Sequence, residues 1–133
     1  MNNRREIKFR AWLKPTKEMV EVRDISFYTH QTFISYKVCK DESCYKVEKE
    51  SNFILMQYTG LKDINNKEIY ESDIITYCDK LYVVDYIFSG FYLHNPKGGF
   101  IELAECDWCC EVIGNIYENP ELLRATNEVI RTN

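Results

Sequence analysis

Ile7, Phe9, Ala11 and Leu13 alternate with Lys8, Arg10 and Trp12, and an apolar residue at every second position predicts a strand with one buried and one exposed face. Lys14-Pro15-Thr16-Lys17-Glu18 follows as a turn in which proline sets φ, and Met19-Val20-Glu21-Val22 is expected to return as the second arm of a hairpin. Ile25-Ser26-Phe27-Tyr28 starts a third predicted strand, and residues 32–38 a strand with mixed faces. Lys40-Asp41-Glu42-Ser43 has the polarity of a hairpin tip leading into Tyr45-Lys46-Val47. Phe53-Ile54-Leu55-Met56-Gln57-Tyr58 is an apolar run too short for a helix and reads as a well-buried strand.

Between Thr59 and Asn66 the pattern changes. Gly60 permits positive φ, and Asp63, Asn65 and Asn66 can bond their own backbone, so a tight, ordered connection is expected here. Ile69-Tyr70 and Ile74-Ile75-Thr76-Tyr77 bracket Glu71-Ser72-Asp73. The next strand is expected to run from Leu81 to Phe88, with Tyr82, Val84, Tyr86 and Phe88 on one side and Ser89-Gly90 as its turn. Phe91–His94, Phe100–Leu103 and Val112–Tyr117 complete the set, Gly114 marking a bulge or a close backbone approach. Asn119-Pro120-Glu121-Leu122-Leu123 reads as the start of a short C-terminal helix, with Asn119 as cap and Pro120 in its first turn. Strands of this length and spacing predict a mainly β chain, folded as an antiparallel meander followed by a small barrel or sandwich.

Composition agrees with that class. Ten Tyr and seven Phe against five Gly and three Pro favour pleated, half-buried surfaces, and 133 residues suffice for one domain or two intimate halves. The net charge of −4 argues against a general polyanion binder, but it is uneven. Up to Arg23, seven basic residues face three acidic ones, a balance of +4 that leaves −8 for the remainder. No apolar run approaches the ~20 residues of a membrane helix, and no secretory leader is visible, so a cytoplasmic protein with no membrane contact is expected. In that compartment its six cysteines should be thiols and not disulfides.

Three segments together resemble the YopX family of bacteriophage and prophage proteins: residues 5–12, Leu55 to Ile75, and Val112-Ile113-Gly114-Asn115-Ile116-Tyr117-Glu118-Asn119-Pro120-Glu121-Leu122-Leu123. The family pattern has Asn-Gly where this chain has Asn65-Asn66, and Gly where it has Ser72; Asn66 tolerates the left-handed region better than Ser72 does. The resemblance implies one domain over 1–133, with a β-meander half over 1–58 and, over 59–133, a half built as an SH3-like barrel with the C-terminal helix. It also implies self-association in a bacterial host, and it supplies no catalytic residues.

Candidate chemistry is sparse. Cys39, Cys44, Cys106 and Cys109 would form a zinc site if their segments met, against the simpler reading of ordinary thiols, and no cofactor is expected. Glu68, Glu71 and Asp73 lack the companions a catalytic site needs; His30, His94 and Cys78 stand alone in sequence, and Cys78 reads as a small apolar filler. Enzymatic function is unsupported. Trp12, Tyr58, Tyr70 and Trp108 are candidate anchors of a protein-binding surface, against the alternative that they cover a core. The preferred function is a non-enzymatic accessory protein that forms homo-oligomers and binds an unidentified host or phage protein. The alternative is a nucleic-acid-binding module using Arg4, Arg5, Lys8 and Arg10.

Overall fold

The computed structural model describes residues 6–40, 43–106 and 109–124. These fall into two compact units, one from Glu6 to Gln57 and one from Tyr58 onward. The chain is mainly β, with two antiparallel sheets.

In the first unit, β1 (Phe9–Leu13), β2 (Glu18–Tyr28), β3 (Gln31–Lys37) and β4 (Tyr45–Lys49) form a meander, and β5 (Phe53–Lys62) returns beside β1, giving the order β4-β3-β2-β1-β5. The alternation of β1 does what it promised: Ala11 and Leu13 are buried with Ile34, Tyr36 and Phe53, and Val20, Val22, Ile25 and Leu55 pack against them. One expectation changes here. The segments at 19–22 and 25–28 are a single strand of 11 residues. Val22 and Ile25 are three apart, which breaks a period of two. The register shift between Val22 and Asp24 absorbs the extra residue, so both side chains reach one core.

The tip between β3 and β4 carries a second correction. Cys39 and Cys44 form a disulfide, so the expectation of six thiols fails for this pair. The hairpin is the cause: Lys37 lies opposite Tyr45, the Val38 N–H donates to the Cys44 carbonyl at 3.0 Å, and the two cysteine Cα atoms stand 5.5 Å apart, inside bridging range.

In the second unit, the end of β5 pairs with β6 (Glu68–Tyr70), and β7 (Asp73–Tyr77), β8 (Lys80–Ile87), β9 (Gly90–His94), β10 (Phe100–Glu102) and β11 (Glu111–Asn115) form a five-stranded sheet in the order β10-β9-β8-β7-β11. Its edges are β10 and β11 and no pairing joins them, so the expected SH3-like barrel is not a closed one among the described residues. Ile69, Ile75, Tyr82, Val84, Leu93, Leu103, Cys106, Cys110 and Val112 make the core. Full burial of an Ile or Leu there stabilises by about 1.5–3 kcal/mol.

Buried polar groups hold the irregular parts of this unit. β5 runs past Tyr58 to Lys62, further than expected, and the tight connection narrows to residues 63–67. Asp63 organises it: one carboxylate oxygen accepts the N–H groups of Asn65 and Lys67 at 2.9 and 2.8 Å, and the other accepts Val112 N–H at 2.8 Å, 49 residues away. Asp73 accepts Tyr70 N–H at 2.8 Å, and the Thr59 hydroxyl donates to the Ile69 carbonyl at 2.7 Å. Asn66 and Ser72 both take left-handed backbone, φ 65° and 70°. Ser72 therefore adopts the shape its side chain disfavours. There its N–H donates to Val84 and its carbonyl accepts from Ile116, at 2.8 and 3.0 Å.

Gly114 meets the expectation of a bulge, with a register shift beside it, and of a close approach: a Cβ there would lie 2.5 Å from Asn119 Oδ1. That oxygen accepts Asn115 N–H at 3.1 Å, so Asn119 anchors the preceding turn and does not cap the helical turn that begins at 121–124.

Candidate functional site

Two-residue turns bound β8 at both ends. The β7–β8 and β8–β9 connections place Cys78, Asp79, Phe88 and Ser89 at φ 52°, 63°, 51° and 61°. Two successive positive φ values match the tight hairpin turn that suits right-twisted strands, in which Asn and Gly are the favoured residues. Phe is a costly choice there. Phe88 is also 72% exposed, so burial does not offset the strain.

Its ring instead belongs to an aromatic cluster. Tyr82, Val84, Leu93 and Ile101 turn inward to the core, which leaves Asp85, Tyr92, His94, Phe100 and Glu102 on the opposite face of β8–β10. Phe88 meets Tyr92 and Phe100 edge to face, with centroids at 5.6 and 5.5 Å, and His94 stacks on Phe100 at 4.9 Å. His94 Nδ1 lies 3.4 Å from Asp85 Oδ2, and Phe100 is 48% exposed. The face can offer rings flanked by a His–carboxylate pair. Sequence reasoning missed it by extending the strand to Phe88, because alternation continues through the turn; the turn length was the signal to use.

Of the aromatic anchors expected from the sequence, Tyr58 and Tyr70 are core residues at 4% and 9% exposure, paired ring to ring at 5.5 Å across β5 and β6. Trp12 is half-buried between Met19 and Ile54 in register, and Trp108 lies outside the described residues. The basic strand is also engaged where it is described. Lys8 Nζ lies 3.1 Å from Glu6, and Arg10 stands opposite Glu21. Arg4 and Arg5 lie outside the described residues.

The four cysteines of the zinc alternative do not assemble, since Cys39 and Cys44 are bonded to each other and have no thiolate to give. A different set of thiols gathers in the second unit. Cys106, Cys78 and Cys109 push the Tyr77 phenol upward. Burial raises the Cys106 thiol, and burial followed by the Asp63 carboxylate pushes Cys110 up to about 11. Both buried thiols are thus held protonated at neutral pH, which makes them poor nucleophiles. Cys78 is exposed on its turn and is not the expected core filler. Among the described residues no group of three or more His, Cys, Asp and Glu is arranged to hold a metal ion. Asp73 is committed to the Tyr70 N–H, Glu68 accepts the Tyr70 hydroxyl at 3.3 Å, and His30 is exposed on the β2–β3 turn. No helix among the described residues is long and apolar enough to cross a membrane.

Comparison with known proteins adds a relationship. The family model described as YopX protein matches residues 8–124. The crystal structure of protein EF1440 from Enterococcus faecalis is similar at 29% identity and a TM-score of 0.60, over 89% of this chain and 98% of that one. No curated protein matches the chain. The family match covers both sheets and the tight connection around Asp63, and on that ground the chain belongs to the YopX family.

Proposed function

We propose that this protein is a non-enzymatic accessory protein of bacteriophage or prophage origin, acting in the host cytoplasm by self-association and by binding a second protein of the host or the phage. One observation carries the reading: a phenylalanine held at φ 51° in a turn that favours Asn or Gly, and exposed within a cluster of rings. Local strain retained for a ring that stays largely exposed points to use of the side chain, and exposed aromatic clusters are the usual anchors of protein contacts. Five antiparallel strands give the second half the size of an SH3-like sheet, and binding on its outer face does not require closure. The carboxylates facing Lys8 and Arg10 favour this reading over a phosphate-binding strand.

Phe88→Asn separates use from stability. Asparagine suits the left-handed turn, so the melting temperature should hold or rise. Capture of a protein partner from lysogenic or infected cells, quantified against wild type, should fall. Unchanged capture by Phe88→Asn and by Phe100→Ser would sink the aromatic face as the binding site. Retention of nucleic acid by wild type at about 50 mM salt, where phosphate contacts are strongest, would favour the basic-strand alternative.

A further inference from the structure

The meander ends on a strand that, among the described residues, has no partner strand on its outer edge. β4 stands at one end of its sheet, and Val47 at its centre is 59% exposed. The direction of its backbone groups follows from the hairpin. Val38 N–H donates to the Cys44 carbonyl, so that pair is a hydrogen-bonded one. By the two-residue alternation of antiparallel ladders, Cys44, Lys46 and Glu48 direct their N–H and C=O groups toward β3. Tyr45, Val47 and Lys49 direct theirs outward. Tyr45 and Val47 therefore present outward donors and acceptors in the spacing a further strand requires, and the Lys49 N–H beside them donates to Glu48 Oε1 at 3.2 Å, a bond that a pairing strand would replace.

The side chains select which strand. Read against itself in antiparallel register about Val47, the sequence Tyr45-Lys46-Val47-Glu48-Lys49 is complementary. Val47 meets Val47 of a second copy as a hydrogen-bonded pair. Lys46 meets Glu48, and Glu48 meets Lys46, at the closer non-hydrogen-bonded positions where opposite charges interact best. Tyr45 meets Lys49, an aromatic ring opposite a cation. Shifting the register by one residue sets Lys46 against Lys49 in one direction and turns each strand's faces over in both. Lysines on an edge ordinarily block pairing, but an edge built only to repel would not interleave a glutamate that neutralises the same lysine across a two-fold axis. The Cys39–Cys44 disulfide closes the tip of the hairpin and keeps β4 on β3, which readies the edge before any partner arrives.

We propose that the free edge of β4 is a symmetric homodimer interface, in which Tyr45–Lys49 pairs antiparallel with the same strand of a second copy about Val47. The pairing is isologous, so it closes at two chains. This inference rests on the self-association reading above and names its site.

Light scattering after size exclusion, across a concentration series, reads the assembly. Wild type should dimerise, Lys46→Glu should weaken the dimer about tenfold by setting Glu against Glu48 at two symmetric places, and Lys46→Glu with Glu48→Lys should restore it. Because Glu48 also accepts Asn52 Nδ2 at 2.7 Å, a second measurement is independent of charge. Val47→Cys under mild oxidation should give a 47–47 linked peptide by mass spectrometry, while Tyr45→Cys should give no 45–45 link. A monomer at every concentration overturns both this inference and self-association. A dimer indifferent to Lys46→Glu and free of the 47–47 link overturns the β4 interface and leaves self-association standing.

Discussion

The two units reach order by different means. The first is a meander whose strands pair nearly without interruption, around Ala11, Leu13, Ile34, Tyr36 and Phe53, with one covalent closure at a hairpin tip. The second has more buried side chains, but its connections are held by side-chain oxygens bonded to backbone: Asp63, Asp73, Thr59 and Asn115 are all buried and all bonded. The difference follows from local geometry. A regular ladder satisfies its own N–H groups, whereas beside the irregular connections the N–H groups of Asn65, Lys67, Tyr70, Tyr117 and Glu118 are given to side-chain oxygens.

The sharpest way to break that contrast is Asp63→Ala, which removes acceptors from Asn65, Lys67 and Val112 at once. A loss of about 3–4 kcal/mol is expected, from several charge-assisted bonds and their stranded donors. Hydrogen exchange should rise in the second unit, and an equal rise in the first would show that the units do not have separate supports. The converse experiment is Cys39→Ser with Cys44→Ser. A loop this short constrains the unfolded chain modestly, so a loss of about 2 kcal/mol is expected, read as faster exchange across β3 and β4 and not across β7–β9.

Ser72→Gly sharpens the comparison from the stabilising side. The left-handed backbone costs a non-glycine residue roughly 1–2 kcal/mol. Glycine at 72 should recover about 1 kcal/mol of that in denaturant titration, while the same change at Ser35 within β3 should lower stability. The smallest effect is a pH dependence. Cys110 is raised in the fold from 9.0 to about 11, so the folded chain keeps a proton that the unfolded chain releases. The associated stability is intact below pH 9.0 and is lost as pH rises through about 11. Cys106 and Tyr36, raised first by burial, act in the same direction. The melting temperature should fall over this window, and the fall should be shallower in Cys110→Ala. A melting temperature flat to pH 11 would count against a buried, protonated thiol.

Much of the architecture was legible because alternation is local. The buried set of β1, the apolar run that became β5, and the turn at Gly114 each announce themselves within a few residues, and the family resemblance rests on the same segments. What resisted reading was wherever the period of two met something outside its window. The bulge between Val22 and Asp24 made two expected strands one. Phe88 continued an alternation that the chain had already left for a turn. Tyr58 and Tyr70, aromatic but inward, could not be told from surface anchors, because burial depends on what lies above a strand and not on its own pattern.

The amino-acid order by itself thus determined the class, the placing of most strands and the family, since side-chain spacing and turn chemistry act between near neighbours. Tertiary structure alone decided that Asp63 answers Val112 across 49 residues, that Cys39 bonds Cys44, and that β4 stands last in its sheet among the described residues. Those outcomes depend on which strands become adjacent and which stay last in a sheet. No run of consecutive residues encodes that, because a ladder is completed or left open by the whole order of pairing.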